Sequence, residues 1–97
     1  MSKEGILDQQ NIAFDNLDPV RYENIKMDVD KNNDIVLSWG DYTDYKIVLY
    51  FTKNSWKVLF TYEARIQSIN TYENLEDAVK SFTELVIKTK QGKSPRL

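Results

Sequence analysis

The chain has 97 residues, with 13 basic and 15 acidic groups and neither histidine nor cysteine. That length makes one domain, and 41% hydrophobic with 29% charged residues is the balance of a globular chain rather than a disordered one. Without His or Cys there is no thiol nucleophile, disulfide, imidazole base, haem ligand or ordinary zinc site, so catalysis would fall to carboxylates, Lys, Tyr and Ser.

The first residues, Met1 to Asp8, hold no long apolar stretch and do not form a secretory signal. Residues 1–20 read as an arm, either flexible or packed on a sheet. Their apolar positions Ile6, Leu7, Ile12, Phe14 and Leu17 follow neither a helical nor a strand period. Asp18-Pro19 suits a turn or a short helical start over Pro19–Glu23.

From Asn24 the period becomes two. Ile25, Met27 and Val29 alternate with Lys26, Asp28 and Asp30, and Ile35, Leu37 and Trp39 alternate with Val36 and Ser38. Asn and Asp tolerate left-handed backbone, so residues 30–34 read as the turn between these two strands. Gly40 to Asp44 makes the next turn. Tyr45, Ile47, Leu49 and Phe51 then face one way, with Lys46, Val48 and Tyr50 facing the other. After a turn at Lys53-Asn54-Ser55, Trp56, Val58, Phe60 and Tyr62 oppose Lys57, Leu59 and Thr61. A fifth short strand falls around Arg65–Ile69. Short turns between neighbours imply antiparallel pairing.

The last element reads most clearly. Asn74 is an N-cap, Glu76 and Asp77 sit in the first turn, and Leu75, Val79, Phe82, Leu85 and Val86 recur at helical spacing. Gly92 and Pro95 mark its stop, leaving 92–97 as a basic tail with Lys93 and Arg96. The expectation is an α+β fold in residues 21–91. It is an antiparallel meander of four to five strands with one C-terminal amphipathic helix on the face of Leu37, Ile47, Leu49, Val58 and Phe60. The longest apolar run, Ile47 to Phe51, is far short of the ~20 residues a membrane helix needs. No membrane association is expected, and the cytoplasm is the expected compartment.

The opposite sheet face carries Val36, Val48, Tyr50 and Leu59, too apolar for a simply solvated surface. The arm with Phe14 and Leu17, a second copy in a homodimer, or a partner are the candidates to cover it.

Asp28 to Ile35 resembles the first eight positions of an EF-hand calcium loop, with oxygen side chains at positions one, three, five and seven. Asn33 stands where that loop has Gly and Trp39 where it has the bidentate Glu, so no metal site is assigned. Of the carboxylates, Asp41 and Asp44 flank a turn, while Glu63, Glu73, Glu76 and Asp77 gather after the fourth strand. A chain with one sheet and one helix offers them little cleft, and no glycine-rich phosphate loop or serine elbow is present. The chain reads as a non-enzyme with no cofactor.

Two binding surfaces remain. Trp39 to Tyr45 puts aromatics beside acids, and Asp41, Tyr42, Asp44 and Tyr45 are the residues expected to hold a protein partner. Trp39 belongs to the core by its alternation, and Tyr42 is the exposed anchor. The alternative is a dimeric single-stranded nucleic-acid binder using Lys46, Tyr50, Lys57 and Arg65. Four strands followed by a helix resembles the PC4-like single-stranded DNA-binding fold in element order. Residues 1–44 hold ten acids and four bases (−6) and residues 45–97 five acids and nine bases (+4), a polarity that can steer a charged partner. Ile, Lys, Asn and Tyr total 32 residues against 11 for Ala, Gly, Pro and Arg. That bias follows AT-rich codons and points to a low-GC bacterium, or to a phage or mobile element within one.

Overall fold

The structure is a computed structural model that describes residues 5–20 and 24–93, with the backbone alone at Pro19, Gly92 and Lys93. From Ile25 the chain runs as the meander its period of two predicts. Strands β1 (Ile25–Val29), β2 (Ile35–Gly40), β3 (Tyr45–Thr52), β4 (Ser55–Tyr62) and β5 (Arg65–Tyr72) lie side by side in chain order. Every neighbouring pair is antiparallel. The fifth strand is eight residues long and extends past Ile69 to Tyr72, longer than expected.

Leu37 sits opposite Leu49, and Leu49 opposite Val58, so these residues share one face. All three are fully buried there with Ile35, Ile47 and Trp56, and Trp39 is 8% exposed. A helix whose final residues follow the Leu75 stripe lies across this face: α2 (Leu75–Lys93) packs on β3, β4 and β5. Its Leu75, Val79, Phe82 and Val86 are fully buried, each contributing roughly 1.5–3 kcal/mol by leaving water. Asn74 caps it as predicted, its Oδ1 accepting the Asp77 N–H at 3.0 Å. Tyr72 adds a tie from the sheet by donating its O–H to Ser81 Oγ at 2.6 Å. The expected stop at Gly92 is not observed, since the helix continues to Lys93. Residues 94–97, with Pro95 and Arg96 of the expected tail, lie outside the described residues.

The N-terminal segment corrects the sequence reading. It is not an arm but helix α1 (Ile6–Leu17), followed by a 3-10 turn at Asp18–Val20. The rest of the expected helical turn, Arg21–Glu23, lies outside the described residues. Gln9, Ala13 and Leu17 recur every fourth residue and are fully buried, which places one stripe of α1 in the core. The helix lies beside α2 on the same sheet face, where Thr83 donates its hydroxyl to Asn16 O at 3.3 Å. Gln9 fastens it to the sheet: its Oε1 accepts the Ile35 N–H at 2.8 Å and its Nε2 donates to Asp34 Oδ1 at 3.2 Å. Leu17 therefore packs under the helices, and α1 does not cover the other face of the sheet. The physical reason is that its buried stripe includes a glutamine, which finds its partners only at the start of β2.

The turns follow backbone demands. Lys53 and Asn54 join β3 to β4, and Glu63 and Ala64 join β4 to β5, with φ of 52°, 62°, 50° and 65°. Two consecutive left-handed residues make the mirror-image turn whose twist matches a hairpin. At Ala64 the Cβ makes that conformation costly, so Ala64→Gly is expected to raise stability by about 0.5–1 kcal/mol. A higher urea midpoint at unchanged slope is the readout.

Candidate functional site: the uncovered sheet face

Both helices occupy one side of the sheet, so among the described residues no element packs across the other. The register writes out what that side presents. One row runs Lys26, Ser38, Val48, Leu59 and Ile69 from β1 to β5. Beside it lie Asp28 with Val36, then Tyr50, Lys57 and Thr71, and on the other side Gly40, Lys46, Thr61 and Ile66. Val36, Val48, Tyr50 and Leu59 are half-buried, while Ile66 and Ile69 are 63% and 47% exposed. The face is aliphatic at its centre, with three lysines and one aspartate among its strand positions.

A bulge assembles this patch. Ser68 is opposite Phe60 but Ile66 is opposite Thr61, so β5 carries one extra residue, Gln67. Side chains alternate along a strand, and residues three apart would ordinarily face opposite ways. The extra residue brings Ile66 and Ile69 to one side. Thr61 lies beneath that corner, almost fully buried, and its hydroxyl donates to Lys46 O at 3.3 Å.

Lys57 and Lys46 are held along the face rather than extended from it. Lys57 Nζ donates to Ser55 Oγ at 3.1 Å and Thr71 Oγ1 at 3.2 Å. Lys46 Nζ lies 4.8 Å from the centroid of the Tyr42 ring, a cation–π contact that draws Tyr42 to the margin of this face. Tyr42 is 51% exposed, as an anchor at a turn tip should be.

The four residues expected to form one partner site are divided between the two sides of the sheet. Tyr42 reaches toward Lys46, whereas Tyr45 stacks on Phe60 at 5.9 Å and against Tyr62 at 4.6 Å on the helix side. Asp41, Asp44 and Tyr45 line a cavity of about 370 Å³ together with Asn24, Trp39 and Gly40. Asp41 also shapes the turn, its Oδ1 accepting the Thr43 N–H at 2.9 Å and hydroxyl at 3.1 Å. These bonds hold its carboxyl below the usual carboxylate value, because they favour the ionised form.

Of the residues expected for nucleic acid, Lys46, Tyr50 and Lys57 share the uncovered face. Arg65 does not join them. It is paired with Tyr62, on the side of the helices, because it precedes the bulge. The additional members of the face are Lys26, Ile66 and Ile69. Lys26 was visible in the alternation of β1, but Ile66 and Ile69 depended on a bulge that has no signature in residue type.

The other candidates have local structural roles. Asp30 Oδ1 accepts the N–H groups of Asn32 at 2.8 Å and Asp34 at 2.9 Å, and Asn33 takes the left-handed conformation at φ 65°. The calcium-loop-like segment is thus the β1–β2 hairpin turn. Glu63 and Glu73 stand at opposite ends of β5, roughly 25 Å apart along an extended strand. Glu76 pairs with Lys80 at 3.2 Å on α2. No helix among the described residues is long and apolar enough to cross a membrane.

No family model matches the chain, and neither does any curated protein or solved structure.

Proposed function

We propose that this chain is a non-enzymatic protein-binding module that docks a partner on the uncovered face of its sheet. One observation carries the reading: Val36, Val48, Leu59, Ile66 and Ile69 form a continuous aliphatic patch while both helices pack on the opposite side. Such a patch, rimmed by polar residues, is the signature of an interaction surface. Tyr42 contributes at the margin, where amphipathic aromatics are favoured. We place the module in the cytoplasm and read it as a phage or mobile-element protein acting on a host protein. The bias toward AT-rich codons supports that origin.

Affinity capture with the wild type and Leu59→Arg tests the docking face. Leu59 lies outside the core, so the variant is expected to fold normally, with unchanged circular dichroism. A protein retained by the wild type after nuclease treatment should be lost with Leu59→Arg and kept with Lys88→Glu on the exposed side of α2. Equal retention by Leu59→Arg would overturn the assignment.

A second reading, a dimeric single-stranded nucleic-acid binder, draws on Lys46, Tyr50 and Lys57 sharing that face. It requires binding that falls steeply with salt and disappears when Lys46 and Lys57 are changed to Glu. The aliphatic centre favours the protein partner, because base stacking uses aromatic platforms.

A further inference from the structure

The corner of the uncovered face between β1 and β3 contains a cavity of about 330 Å³ lined by Asn24, Ile25, Lys26, Ser38, Gly40 and Lys46. Lys26 is directly opposite Ser38, while Lys46 is opposite Gly40 and hence diagonal to Ser38. Two ammonium-bearing chains from different strands therefore flank one hydroxyl, with no carboxylate among the described residues of the lining. Asp28, the acid of this face, is opposite Val36 rather than in the cavity.

The backbone restricts one lining position to glycine. Gly40 has φ +95°, and a Cβ there would fall 2.1 Å from Tyr45 O, so no larger side chain can occupy its place. Tyr42 steadies Lys46 from one side through its ring, leaving the ammonium N–H groups to donate elsewhere. The cavity adjoins the aliphatic row, since Ser38 is opposite Val48.

We infer that this cavity receives a carboxylate side chain of the protein partner, and that the partner surface is aliphatic at its centre and acidic at this edge. The inference rests on the docking reading above and names the chemistry of that partner. Charge complementarity selects it. A second copy would bring another Lys26, Lys46 and Lys57 to the same interface, with Asp28 and the Asp41 carboxylate near Lys46 to offset them. A nucleic-acid strand would find its phosphates matched but its bases against Val48, Leu59 and Ile69.

The test is a titration of the intact chain, followed by backbone amide NMR, with a soluble peptide of alternating Glu and Leu. Inorganic phosphate and an oligothymidylate serve as parallel probes. The peptide is expected to shift the amides of Lys26, Ser38, Lys46 and Val48. Changing Lys26 and Lys46 together to Gln should weaken that binding about tenfold, as expected for loss of charge-assisted hydrogen bonds. Lys53→Gln, in the exposed β3–β4 turn, should leave it unchanged. Tighter binding of oligothymidylate or phosphate than of the peptide overturns the inference, as does indifference to the double substitution. Concentration-dependent dimerisation through these residues overturns it as well. The same double substitution in the capture experiment separates the two proposals. Partner loss with Leu59→Arg alone keeps the docking face and removes the carboxylate site, whereas loss with neither removes both.

Discussion

Gly40→Ala is expected to cost about 4 kcal/mol, combining backbone strain with a contact that the neighbouring strand cannot relieve. At φ +95° an L side chain is strained whatever the space around it, and the added Cβ would lie 2.1 Å from Tyr45 O. That carbonyl cannot simply retreat, because it accepts the Asp41 N–H at 2.9 Å and closes the β2–β3 turn. Most single domains have only 5–15 kcal/mol in total. The variant should therefore show a much lower urea midpoint at an unchanged slope. It should also weaken acidic-peptide binding, since Gly40 lines the Lys26–Lys46 cavity. A stability within about 1 kcal/mol of wild type would show that the turn relaxes without this glycine.

Gln9→Ala is expected to lower stability by about 2–4 kcal/mol, although it removes only one polar side chain from a surface-spanning helix. The glutamine is fully buried, and both ends of its amide are used. Alanine would take the acceptor from the buried Ile35 N–H and one donor from Asp34, which is itself 1% exposed. Two desolvated groups each lose an interaction, and water has no easy access to replace it. Hydrogen exchange should report early loss of protection in α1, because Gln9 is its side-chain tie to β2, while β3 and β4 stay protected. Retention of α1 protection at wild-type level would show that Ala13, Leu17 and the Thr83–Asn16 bond hold the helix unaided.

These two positions also mark where reading the sequence succeeded and where it could not. Gly40 was read as the first residue of the turn to Asp44; the turn is there, but Gly40 itself ends β2 opposite Lys46. Gln9 was hidden. The buried stripe of α1 is Gln9, Ala13 and Leu17, so its most demanding member is polar, while Leu7 and Phe14 are 69% and 46% exposed. A hydrophobic period taken over Ile6, Leu7, Ile12, Phe14 and Leu17 mixes the two sides of the helix and cancels. The pairing of Gln9 with Ile35 spans 26 residues, and no local pattern encodes it.

The site was legible to a similar extent. Val36, Val48, Tyr50 and Leu59 follow from alternation, and so does the segregation of Lys46 and Lys57 from the core. The turn before Tyr45 was also readable, one residue shorter than expected because Gly40 belongs to β2, yet the residues around it separate: Tyr42 goes to the Lys46 side and Tyr45 to the Phe60 side. Side-chain direction at the end of a hairpin depends on the turn geometry and on the rings it meets, both of which lie outside a period count. Glu63-Ala64 gave no turn signal, because neither residue favours the left-handed backbone that the hairpin imposes there.

The sequence by itself determined the strands and the amphipathic C-terminal helix, because their periods of 2 and 3.6 are local properties of which side chains leave water. It also determined which chemistries the chain lacks, since residue types it does not contain cannot be supplied by folding. Only the tertiary structure decided the layer to which α1 belongs, the side on which Ile66, Ile69 and Arg65 fall, and hence the extent of the uncovered face. Those outcomes turn on one buried amide meeting a distant strand and on one extra residue in β5, contacts whose energies exist only once remote segments have been brought together.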